Sequence, residues 1–115
     1  MTTLALLTTA CGSNSRRDEI EQRKAALAHK QDSTLKASQA ELAFVDSALE
    51  ATKTQYEAMR TEVEQHRQAL RATEEELTAL TLLRMKRDSL QVQWNVLGAK
   101  IKYIRREQAK LQQTP

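Results

Sequence analysis

The chain has 115 residues with 3% aromatic side chains, two glycines and one proline. That palette excludes an ordinary globular core, which draws on Phe, Trp, Tyr, Ile and Val for its buried apolar area. Leu and Ala dominate a background of Gln, Glu, Lys, Arg and Thr, and 29% of residues are charged, with a net charge of +3 and the two signs interspersed. This is the composition of long solvated helices in an all-α fold.

In chain order, Leu4, Ala5, Leu6 and Leu7 form a short apolar run, Thr8, Thr9 and Ala10 are small, and Cys11 precedes Gly12, Ser13, Asn14 and Ser15. One cysteine forms no intrachain disulfide, so its position is what informs. The segment resembles a bacterial lipoprotein signal peptide ending in a lipobox, with Thr8 where that family usually carries Leu. The resemblance implies a signal peptide over residues 1–10, cleavage between Ala10 and Cys11, and diacylglycerol on the Cys11 thiol. It also implies acylation of the new amino group and a short polar tether over residues 11–15. Two or three acyl chains, at about 0.8 kcal/mol per buried methylene, anchor a protein stably where a single chain does not. Gly12 stands where Asp marks inner-membrane retention, so the expected location is the bacterial cell envelope, on the periplasmic side of the outer membrane. The segment before Cys11 is shorter than the roughly 15 to 30 residues of a signal peptide and lacks a basic start, so translation is expected to begin upstream of Met1. The alternative is a free N-terminus with an incidental cysteine.

Residues 16–113 read as a helical coiled-coil region, followed by a 114–115 tail. From Ser15 onward the only glycine is Gly98 and the first proline is Pro115. Ser15-Arg16-Arg17-Asp18 approximates a capping box, which predicts a helix start there. Leu42, Val45, Leu49, Tyr56, Met59, Val63, Leu70, Leu77 and Leu80 then fall on alternating steps of three and four, the a and d positions of a coiled coil. Thr52, His66 and Thr73 fill the gaps in that seam. A second series, Leu83, Leu90, Trp94, Leu97, Ile101, Ile104 and Leu111, begins three residues after Leu80 where four were due, and this predicts a stammer. The spacing of eight between Leu27 and Leu35 predicts a stutter across Gln31.

Two places offer helix-breaking side chains: His29 to Thr34, with three N-cap formers in a row, and Asp88-Ser89-Leu90-Gln91, a second capping-box pattern. Neither contains Gly or Pro, which most tight connections use. The preferred expectation is therefore one long, slightly irregular coiled-coil rod, roughly 150 Å long at 1.5 Å per residue. Bending or folding into a helical hairpin is the alternative. A lone helix cannot bury the leucine seam, so a partner is required: a second copy, another protein or the chain's own other half.

Residues 1–40, 41–80 and 81–115 carry about +2, −5 and +6. The plain reading is solvated flanking positions, with acidic and basic segments side by side in antiparallel pairing. The sharper reading is that Lys100, Lys102, Arg105 and Arg106 contact an anionic surface such as phospholipid headgroups, with Trp94 and Tyr103 beside them. No run approaches the roughly 18 to 20 apolar residues of a membrane-spanning helix.

His29 and His66 lie far apart and no zinc spacing occurs. Glu62 and His66 could share a helical face, which is weak ground for a metal. No phosphate loop, nucleophile elbow or cleft-held carboxylate pair is present, so no catalysis, cofactor or metal is expected. The chain is similar to small bacterial lipoproteins in general. The murein lipoprotein family, a lipidated coiled coil, ends in a wall-linked lysine, whereas this chain ends Leu111-Gln112-Gln113-Thr114-Pro115. Attachment to peptidoglycan by that route is not expected. The function read from the sequence is a lipid-anchored coiled-coil envelope protein acting as interaction module, scaffold or spacer. The alternative is a soluble cytoplasmic coiled coil that binds a protein or nucleic acid through its basic C-terminal helix, although nucleic acid is not the expected partner, because the basic excess forms no uninterrupted region leading into a zipper.

Overall fold

The computed structural model describes the backbone of residues 2–113 and the side chains of residues 15–113. The side chains of Ala10 and Cys11, where cleavage and lipidation are expected, and the 114–115 tail lie outside what is described. The chain is all-α, with two helices among the described residues: α1, Thr2–Gln68, and α2, Glu74–Gln113. They form a helical hairpin, which corrects the preference for an uninterrupted rod.

The connection falls at Ala69 to Thr73, away from both places the sequence suggested. The Leu70 amide donates to the Arg67 carbonyl at 3.0 Å and the Arg71 amide to the His66 carbonyl at 2.7 Å. Those two bonds are the Schellman closure of a helix C-terminus, which requires a left-handed residue at its centre. Leu70 supplies it with φ 57°. Thr73 then caps α2: its hydroxyl accepts from the Glu76 amide at 3.1 Å, and its carbonyl accepts from the Leu77 amide at 3.1 Å. Glu74, Glu75 and Glu76 fill the first turn of α2, and Arg67 stands in the last turn of α1, each charge matching its end of the helix dipole.

Elsewhere the helices run straight through the expected breaks, because the would-be capping side chains are engaged along the helix. Asp32 pairs with Lys36 at 3.4 Å, and the Thr34 hydroxyl donates to the Lys30 carbonyl at 2.8 Å. Asp88 is held by Arg87, and Gln91 donates to the Asn95 side chain at 3.1 Å. Ser15 lies inside α1 rather than at its start, so the amides it was expected to cap belong to a continuing helix.

The chain divides into two compact units, one of Ala37–Tyr103 and one of Met1–Lys36 with Ile104–Pro115. In the first, α1 turns Ser38, Leu42, Val45, Leu49, Thr52, Tyr56, Met59, Val63 and His66 toward α2, in unbroken steps of four and three. Val45, Leu49 and Val63 are buried, each contributing about 1.5–3 kcal/mol of apolar transfer energy. Thr52 is also buried, and its hydroxyl is satisfied by the Ala48 carbonyl at 2.7 Å. From α2 come Glu76, Leu80, Leu83, Arg87, Leu90, Trp94, Leu97 and Ile101, again in steps of four and three.

The stammer at Leu80 to Leu83 is therefore absent. Leu77, which made it by preceding Leu80 at three residues, stands beside the seam at 42% exposure, and Glu76 takes the register position. The apparent stammer is the trace of two registers meeting at a turn. Leu70 is removed from the seam for the same reason: it lies in the turn, 94% exposed. Thr73 leaves it to become a cap.

In the second unit Ile104 is buried, while Lys24, Gln31, Thr34, Leu35, Gln108 and Leu111 are half-buried. Leu27 is exposed, so the register passes through Gln31 and the expected stutter does not occur. Helical geometry thus holds a glutamine at a seam position, with its Oε1 shielded from solvent and accepting no hydrogen bond among the described residues.

Candidate interaction surface

Two polar contacts join α1 to α2 within the Ala37–Tyr103 unit. Arg87 and Tyr56 occupy facing seam positions, and the guanidinium carbon stands 4.5 Å from the centre of the tyrosine ring. The same guanidinium donates to one carboxylate oxygen of Asp88, from Nε at 3.1 Å and from Nη2 at 2.9 Å. The hydrogen bond to Asp88 raises the already high pKa of Arg87. Its planar cation is occupied on its face and along its edge, which makes it a strut between helices rather than a free anion receptor.

The second contact closes the turn: His66 Nδ1 donates to Glu76 Oε2 at 2.8 Å. The partner of His66 is Glu76, not Glu62. Among the described residues no group of three or more His, Cys, Asp or Glu side chains is placed to hold a metal ion.

Beside Arg87, a groove lined by Lys53, Tyr56, Glu57, Arg87, Asp88 and Gln91 encloses about 370 Å³. A larger one in the other unit, about 560 Å³, is lined by residues including Lys24, Gln31, Asp32, Gln108 and Leu111. Within Ala37–Tyr103, every salt bridge other than His66 with Glu76 joins residues of a single helix. The antiparallel pairing therefore sets acidic α1 beside basic α2 without lacing them by side-chain ion pairs.

The predicted seam is otherwise assembled. Leu42, Val45, Leu49, Tyr56, Met59 and Val63 on α1 and Leu80, Leu83, Leu90, Leu97, Ile101 and Ile104 on α2 are all buried or half-buried, and Trp94 keeps 39% exposure at its register position. Leu70 and Leu77 are the two that leave the register. Lys100, Lys102, Arg105 and Arg106 are all exposed. At 100° per residue, Lys100 and Lys102 point about 200° apart around the helix.

The feature that sequence reasoning missed is the outward face of α2. Leu82, Met85, Val92, Val96 and Tyr103 are each 58–62% exposed. With Ser89 and Ala99 they occupy an unbroken series of steps of three and four. This second series lies in the sequence two residues out of phase with the leucine series, and so on the opposite side of the helix. No helix among the described residues is long and apolar enough to cross a membrane. Comparison with protein-family models, curated proteins and solved structures finds no match.

Proposed function

We propose that the protein is a non-enzymatic helical interaction module of the bacterial envelope, anchored by lipid on Cys11 and acting as a scaffold or spacer. The observation that carries the interaction reading is the outer face of α2. The hairpin already buries its own seam and still presents five large apolar side chains outward. A surface stripe of that kind marks a docking face rather than a solvated one. The anchoring reading is supported by the apolar run Leu4 to Leu7, the small residues before Cys11 and the polar residues after it. The reading is of a helical module tethered to the membrane at one chain end.

Metabolic labelling with a fatty acid tests the anchor. Label is expected in the native chain and lost in Cys11→Ala, with the native protein in the membrane fraction. Label in neither chain, with wholly cytosolic fractionation, would leave the soluble coiled-coil reading in its place.

A further inference from the structure

We propose that a second copy of this chain covers the outer face of α2, the two α2 helices lying parallel and in register about a two-fold axis. This deepens the interaction reading by naming the partner, and it does not depend on lipidation. On α2 the positions that face α1 and the positions Leu82, Met85, Ser89, Val92, Val96, Ala99 and Tyr103 are centred about 160–200° apart around the helix at 100° per residue. One helix therefore carries two apolar stripes on opposite sides. The inner one is covered by α1. The outer one keeps the three-four spacing that fits a second helix at a shallow left-handed crossing.

Three observations select a second copy. Within the chain, the corresponding outward positions of α1 are Phe44, Ser47, Ala51, Thr54, Ala58, Thr61 and Gln65, with one large apolar residue among them. The outer face of α1 therefore offers no matching stripe, and the surface of this protein complementary to the outer face of α2 is the same face of another copy. The area is sufficient as well. Five large side chains exposing roughly 100–150 Å² each give on the order of 600 Å² per copy, so a pair buries about 1,200 Å², the lower bound of a specific interface.

The flanking residues supply the orientation. In parallel register Thr81 faces the partner's Lys86, Asp88 the partner's Gln93, and Asn95 the partner's Lys100, so no like charges meet. All five large apolar residues then meet their own counterparts. An antiparallel pairing that layers Val92 on Val96 brings Lys86 against the partner's Lys100 and leaves Leu82 opposite the partner's Arg106. Sliding it by one heptad separates those lysines but sets Tyr103 against the partner's Thr78 in one direction, and Leu82 and Met85 against the partner's Gln113 and the partner's Lys110 in the other. Such a closed, isologous arrangement ends with the dimer, because each copy has a single face of this kind.

The test uses the full chain carrying Cys11→Ser, so that lipid does not contribute to association. Analytical ultracentrifugation between 1 and 100 µM is expected to give a dimer. Val92→Glu with Val96→Glu is expected to weaken it at least 100-fold at unchanged helix content, since both positions are solvent-facing in the single hairpin. Ser89→Leu, which replaces the polar layer of the stripe, is expected to tighten the dimer about tenfold. Adding Val92→Cys is expected to give a disulfide-linked dimer on mild oxidation. A chain that stays monomeric at 100 µM, a dimer that survives the double glutamate substitution, or a monomer that binds anionic vesicles through this face overturns the proposal. With Val96→Cys prepared as a second chain and the two mixed, a dimer in which Val92→Cys links only to Val96→Cys overturns the parallel arrangement.

Discussion

His66 and Glu76, ten residues apart in sequence, meet across the turn with Nδ1 2.8 Å from Oε2, each side chain about one-third exposed. They occupy the last seam positions before the helices part, where an apolar pair would be half in water. A hydrogen bond keeps the layer closed there without exposing apolar surface. Partial exposure limits its worth, and screening places the coupling at about 0.5–1 kcal/mol. A double-mutant cycle with His66→Ala and Glu76→Ala, read by urea unfolding, should recover a coupling of that size. A value indistinguishable from zero would mean that the turn is held by its backbone closure and Thr73 cap alone.

Leu70 holds a conformation that leucine disfavours. A left-handed backbone costs a residue with a Cβ about 1–2 kcal/mol, and Leu70 recovers nothing by packing, since it is almost fully exposed. Leu70→Gly should therefore raise stability by about 0.5–1 kcal/mol, the backbone relief being partly offset by the larger chain entropy of glycine when unfolded. Thermal and urea unfolding check this. A destabilised Leu70→Gly chain would show that the side chain contributes contacts outside the single hairpin.

This leucine is also why the turn was hard to read. Thr73-Glu74-Glu75-Glu76 is a clear helix start, with a hydroxyl and an acid three residues on, but the residue that ends α1 carries none of the glycine signal that usually marks such an end. A leucine at the left-handed position keeps its heptad spacing and so passes for a seam residue. The helical class, and the seam from Leu42 to Val63 and from Leu80 to Ile104, were legible because burial imposes its period on the sequence. The hairpin was legible only as the alternative to a rod, and the position of its turn was not legible, because the turn is specified by backbone closure, which has no period. The outer face of α2 went unread for a different reason: a stripe of Val, Met and Tyr interleaved with a leucine stripe looks like general apolar content until one helix is known to be covered on one side.

The rod and the hairpin make different statements about two leucines of the predicted seam. Leu49 is buried among α2 side chains, whereas Leu77 stands beside the seam with much of its surface in water. Leu49→Ala should cost about 2–4 kcal/mol by lost transfer energy and an unfilled gap, enough to shift the unfolding midpoint markedly. Leu77→Ala should stay within about 1 kcal/mol, helped by the higher helix propensity of alanine. Were the continuous heptad of a rod correct, both leucines would be core positions and the two substitutions would be equally damaging, so the difference between them measures the hairpin directly.

Gly98 lies inside α2 with ordinary helical backbone, half-buried, and a Cβ built on it meets no atom within 4 Å. Nothing in the packing or the backbone calls for glycine. Gly98→Ala fills open space and reduces the entropy lost on folding, so it should stabilise α2 by about 0.5–1 kcal/mol. The position also lies beside the inner seam, well away in angle from Val92, Val96 and Ala99 on the outer stripe. The gain should therefore appear in urea unfolding at fixed protein concentration, while the dimer dissociation constant stays unchanged. A substitution that raised stability only as protein concentration rose would place Gly98 at the interface between copies and shift the docking face around the helix.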